Sequence, residues 1–152
     1  MLLNCHSNFS IGYGVLHPQN LLLSIKQNGF DNYVITDINT TSAILDSLRL
    51  ATEYNMKVDV GVDFRNGIQQ QYIGIAKNNE GFKELNEHLS FHLHHNKLFE
   101  KQAPHFENVF VIYPFTSAYR LLRENEFIGI KNSELNRLQF SGWKNHPDKL
   151  VA

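Results

Sequence analysis

Short apolar runs recur along the chain and alternate with stretches whose apolar residues return every three or four positions. Leu2-Leu3, Tyr33-Val34-Ile35-Thr36 and Val58-Asp59-Val60-Gly61-Val62 read as strands and the segments between them as helices. That alternation predicts βαβ units around a parallel sheet. After Pro18, the residues Leu21, Leu22 and Ile25 mark one helical face, and Gly29 is placed to end it. A second helix is expected over about 42–54, with Ile44, Leu45, Leu48 and Ala51 toward the sheet. The pattern then changes. Asn66-Gly67 separates an apolar run ending at Phe64 from another over 71–76, which predicts a hairpin and an antiparallel extra strand. A third helix is expected over about 79–93, burying Phe82, Leu85, Leu89 and Leu93. Beyond Pro104, Val109 to Tyr113 reads as a buried strand stopped by Pro114. A short helix over 117–123, a strand over 127–130 and a helix over 133–138 capped by Ser133 should follow. Residues 149–152 read as the start of a further strand. The pattern stops in mid-course, so residues 1–152 are expected to be the N-terminal part of a single domain, cut before its last strands.

Composition narrows the function classes. With 14 basic and 15 acidic residues the net charge is -1, so the basic surplus that gives a stand-alone nucleic-acid binder its affinity is missing. DNA contact is expected only through a longer parent protein. Cys5 is the one cysteine; no intramolecular disulfide can form, and a reducing cytoplasm is the expected compartment. It alternates with Asn4 and His6 and should face the other way as a small buried residue. No targeting segment precedes the first strand, and no apolar run reaches membrane-spanning length, so no membrane partner is expected.

Candidate chemistry collects at strand ends. Residues i and i+2 of a strand share a face, so Asn4 and His6 project side by side from the first apolar run. Asp37 follows the second run and Asp63 the third, at the edge where α/β sheets and barrels build their sites. A plainer reading makes His6 a hydrogen-bonded structural residue and Asp37 a turn or helix-cap residue. His88, His92, His94 and His95 form a second cluster. His88 and His92 stand four apart on one helical face, the spacing by which a helix chelates an ion. No acidic residue completes a HExxH pattern, and a polar, solvated helix end is expected there.

The runs Asn4-Cys5-His6-Ser7-Asn8-Phe9-Ser10, Ile35-Thr36-Asp37-Ile38-Asn39 and Lys57-Val58-Asp59-Val60-Gly61-Val62-Asp63-Phe64 resemble, in order and spacing, the polymerase and histidinol phosphatase (PHP) domain. The segment Tyr72-Ile73-Gly74-Ile75-Ala76-Lys77-Asn78-Asn79-Glu80-Gly81-Phe82-Lys83-Glu84-Leu85-Asn86 resembles more closely the PHP domain that opens bacterial DNA polymerase III alpha subunits. The resemblance implies an α/β fold, a distorted TIM-like (β/α)7 barrel, truncated here. Intact PHP sites carry His-x-His, then Thr-Asp-His, then a Glu after the glycine of the third strand. Those ligand positions are held here by Asn4, His6, Asp37, Ile38 and Asp63. An Asn amide is a weak neutral ligand and Ile cannot coordinate, so the implied site is degenerate, without the zinc or manganese of relatives whose ligands are intact. No intact catalytic set is expected, and no cofactor. The implied role is a structural platform in a DNA-directed DNA polymerase, contacting the rest of the polymerase chain and a proofreading exonuclease subunit. The alternative is a metal-dependent phosphoesterase or 3′–5′ exonuclease of the same superfamily.

Overall fold

The structure, a computed structural model, describes residues 1–116 and 121–152. Among the described residues seven strands lie side by side in chain order: β1 (Leu2–Cys5), β2 (Asn32–Ile35), β3 (Lys57–Asn66), β4 (Gln69–Ala76), β5 (Val109–Pro114), β6 (Glu126–Gly129) and β7 (Leu150–Val151). β1, β2 and the first half of β3 pair in parallel, as the βαβ pattern predicts. β4 runs antiparallel to both neighbours, and β5, β6 and β7 are parallel again. Residues of both edge strands, Leu2 and Leu3 on one side and Val151 on the other, line one apolar cavity of about 270 Å³. The mixed sheet therefore curls into a half-barrel. Ile73 and Ile112 fill its concave face.

Helices α1 (Pro18–Gln27), α2 (Ile44–Glu53) and α3 (Asn79–His94) pack against the sheet; α4 (Leu135–Leu138) is a single turn. Pro18 opens α1, and Gly29, at φ 81, closes the turn beyond it, where a left-handed residue without a Cβ carries no steric cost. Leu22, Ile25, Ile44, Leu50 and Ala51 join Cys5, Tyr33 and Ile35 in one core cluster. Leu85 and Leu89 of α3 join Val62, Phe64, Tyr72 and Val111 in a second. At the start of α3, the Asn78 side chain accepts a hydrogen bond from Gly81 N at 2.9 Å and caps the helix. A Cβ at Gly81 would overlap the Asn108 carbonyl, so glycine lets the first turn of α3 lie directly on the chain entering β5.

Several expectations need correction. The hairpin loop is Gly67-Ile68, because Asn66 pairs with Gln69. Gly67 holds φ 59 at the first central position, a type II′ arrangement that needs glycine there. Asn66, released from the turn, clamps both backbone groups of Phe99, donating to its carbonyl at 2.8 Å and accepting from its N–H at 2.9 Å. In α2 the buried stripe is Ile44, Ser47, Leu50 and Ala51, whereas Leu45 and Leu48 face out. Its apolar residues outnumber the places on one face, and the set centred on Leu50 wins the sheet. In α3 the buried stripe ends on His92, not Leu93, which lies one residue past the packed face. The α3 end is thus not simply solvated: His92 is 3% exposed, its ring 4.7 Å from that of Phe99. Ser133 does not cap α4; a 3₁₀ turn over Asn132–Glu134 precedes it, and the Glu134 carboxylate accepts from Lys131 N at 3.0 Å. Of the helix expected over 117–123, residues 117–120 lie outside the described residues and 121–123 are not helical.

Candidate functional site

The parallel strands deliver His6, Asp37 and Asp63 to one edge. β1 ends at Cys5 and β2 at Ile35, so His6 and Asp37 lie just beyond their ends, and an isolated parallel bridge joins Ile38 to Asp63. Asp63 N donates to the Asp37 carbonyl at 3.2 Å, and Asn39 N donates to the Asp63 carbonyl at 3.1 Å. Asp37 and Asp63 are both buried, at 2% and 0% exposure.

The two carboxylates have different surroundings. Asp37 accepts three short bonds from one loop: Ser7 N and Ser10 Oγ on Oδ1, and Ser7 Oγ on Oδ2, each at 2.6 Å. Ser10 Oγ also accepts from Ile38 N at 2.9 Å. Asp37 therefore ties the 7–14 loop to the end of β2, and that loop carries Tyr13 to the site. A Cβ at Gly14 would overlap the Ser7 carbonyl, which explains the glycine in so tight a fold-back.

Asp63 Oδ2 is crowded with donors. Arg65 Nη2 lies at 2.6 Å, Arg65 Nε at 2.9 Å, Gln70 Nε2 at 3.0 Å and His6 Nε2 at 3.1 Å. The Tyr13 ring covers the Arg65 guanidinium at 4.6 Å and meets the His6 ring edge-on at 4.8 Å. Burial pushes the Asp63 pKa up, but hydrogen bonds from His6, Arg65 and Gln70, with the charge of Arg65, outweigh it and hold the carboxyl below its ordinary value of 3.8. Asp63 Oδ1 is buried and has no hydrogen-bond partner among the described residues. Asn4 stands apart from this cluster: its side-chain oxygen accepts from Thr36 Oγ1 at 2.7 Å.

This donor set does not fit a PHP-type metal centre. A divalent ion needs several convergent nitrogen and oxygen lone pairs. Here Ile38 offers none, Asn4 is engaged with Thr36, Asp37 already accepts three hydrogen bonds from Ser7 and Ser10, and Arg65 already supplies a positive charge to the Asp63 carboxylate. What the arrangement can do is hold the ends of β1 and β2, the middle of β3 and the 7–14 loop together around a buried ion pair.

Sequence patterning located His6, Asp37 and Asp63 but missed Arg65, Ser7, Ser10, Gln70 and Tyr13. The signal for Arg65 was present: it stands two residues after Asp63 on the same strand, hence on the same face. Gln70 is its cross-strand partner through the hairpin register.

A family model for the PHP domain matches residues 3–128. The chain belongs to the PHP domain family. Comparison with curated proteins gives no match. Among solved structures it is similar to a protein from Bifidobacterium adolescentis whose name assigns it provisionally as a metal-dependent phosphoesterase, at 18% identity and a TM-score of 0.48, over 61% of this chain and 31% of that one. The chain thus spans under a third of that protein's length. No helix among the described residues is long and apolar enough to cross a membrane.

Proposed function

We propose that residues 1–152 belong to the PHP domain of a bacterial DNA polymerase III alpha subunit, a distorted (β/α)7 barrel, and that the domain works there as a structural platform. The observation that carries the platform reading is the Arg65 guanidinium on Asp63 Oδ2, a fixed cation beside the carboxylate that stands in the family's ligand position. The polymerase assignment is supported by the run from Tyr72 to Asn86 in addition to the strand-end motifs. Within it, Gly81 and the Asn78 cap have structural work at the α3–β5 junction. In this reading the partners are the rest of the polymerase chain and a proofreading exonuclease subunit, DNA is met only through the parent protein, and the compartment is the cytoplasm. Nucleotidyl transfer belongs to carboxylates elsewhere in that protein.

The second reading, a metal-dependent phosphoesterase or 3′–5′ exonuclease, is favoured by His6 and Asp63 lying side by side with Asp63 Oδ1 unpartnered. Such chemistry needs a metal-activated water near neutral pH. The test is hydrolysis of single-stranded DNA and of a simple phosphomonoester with added manganese, together with metal content after purification without an affinity tag. No His6-dependent hydrolysis is expected. Activity abolished by His6→Ala, or stoichiometric zinc lost when His6→Ala and Asp37→Ala are combined, would overturn the platform reading. Sequencing the coding region after Ala152 tests the polymerase assignment separately: a polymerase in the same reading frame supports it, and its absence refutes it.

A further inference from the structure

Away from the strand-end site, α3 and the segment that follows it gather a second set of ligating groups. His88 and His92 project from one face of α3 with ring centroids 4.5 Å apart. The chain then folds back, and Glu100 brings its carboxylate Oε2 to 3.5 Å from His92 Nε2. One ligand atom from each of His88, His92 and Glu100 lies within 4.8 Å of the other two. In the sequence the acidic partner was hidden because it stands eight residues past His92, outside any helical spacing.

We infer that His88, His92 and Glu100 form a binding site for a zinc-like divalent cation, distinct from the strand-end positions of the PHP motifs. Four observations support it. The donor set of two imidazoles and one carboxylate is one that zinc accepts with a fourth position left to water, and imidazole favours zinc-like ions over magnesium or calcium. Tetrahedral zinc with bonds near 2.0–2.1 Å holds its ligand atoms about 3.3 Å apart. Glu100 Oε2, 3.5 Å from His92 Nε2, is already close to that spacing, and Glu100, 66% exposed at its side chain, is free to adjust.

The framework is also built and fixed. Asn66 clamps both backbone groups of Phe99, the residue before Glu100. Tyr72 Oη sits 2.7 Å from His88 Nε2 and sets that ring's position, while the rings of Phe64, Phe99 and Phe106 surround it. Finally, His92 is almost fully buried, and its Nε2 is the nitrogen turned toward the Glu100 carboxylate. A solvated helix end would leave neither imidazole in this position. A metal here would fasten the 96–100 segment to α3, and exposed Glu100 leaves it an approach from solvent.

The test uses the full chain, purified without an affinity tag, with zinc binding measured by equilibrium dialysis and site geometry by the visible absorption of bound cobalt(II). One zinc per chain is expected, with the intense absorption of four-coordinate cobalt, and zinc should raise the melting temperature. Glu100→Gln, a change at an exposed side chain, should weaken zinc binding by at least about tenfold without altering the metal-free melt. His92→Phe should abolish binding. If that variant fails to fold, Glu100→Gln decides alone. A His94→Ala, His95→Ala double variant should bind as the parent does. Absence of binding, binding indifferent to Glu100→Gln, or binding lost with His94 and His95 would overturn the inference. Zinc lost with His6→Ala and kept with Glu100→Gln would refute both this site and the platform reading, whereas failure of this site alone leaves that reading intact.

Discussion

Arg65→Ala is the most direct perturbation of the strand-end cluster. Asp63 has no exposed surface, and the Arg65 side chain is 11% exposed, so their contact is an interior ion pair. Taking away one member of such a pair leaves a buried charge without compensation and costs about 3–5 kcal/mol. His6 and Gln70 remain as donors to Asp63 Oδ2, which places the expected loss toward the lower end. For a chain of this size about 1 kcal/mol moves the melting temperature by roughly 2–4 °C, so a fall on the order of 6–12 °C is expected at pH 7. The second arm removes the stranded charge: Arg65→Ala combined with Asp63→Asn should recover most of the loss, giving a coupling energy well above the few tenths of a kcal/mol seen between independent sites. Urea titrations of the parent, both single variants and the double variant supply the four corners of the cycle. A loss under about 1 kcal/mol for Arg65→Ala, or a double variant no more stable than the worse single one, would show that the guanidinium is not what compensates Asp63.

Acid should weaken the fold through His88. Burial first, then the neighbouring His92, push its pKa down to about 4 from an ordinary 6.5, so between those values the unfolded chain binds a proton that the folded chain refuses. Stability of the metal-free protein should therefore decline as pH falls from 6.5 toward 4, and His88→Gln should flatten that decline in urea melts at stepped pH; an unchanged slope would refute the assignment. Gly81→Ala should destabilise by about 1–3 kcal/mol, because its new methyl group meets the Asn108 backbone carbonyl and not a side chain that can turn away. A thermal melt within a degree of the parent would contradict that packing.

The alternation of apolar runs and amphipathic stretches was enough to determine the order of strands and helices among the described residues, the antiparallel insertion after β3, the glycine exit of α1 and the placement of His6 and Asp37 just past strand ends; Asp63, expected after the third strand, lies inside β3. These are local properties: side-chain period, backbone permission at glycine and proline, and the position of polar groups after an apolar run. The tertiary structure decided the rest. Which of α2's surplus apolar residues would be buried depended on the sheet it meets, and so Leu45 and Leu48 face out while Ser47 faces in. His92 looked like part of a solvated helix end until the chain beyond α3 folded back and set Phe99 and Glu100 beside it. The Asp63 carboxylate could be placed from its strand, but its partners come from β1's end, its own strand and the far side of a hairpin. Burial and pairing of charge are set by groups distant in sequence, and a one-dimensional pattern does not carry that information.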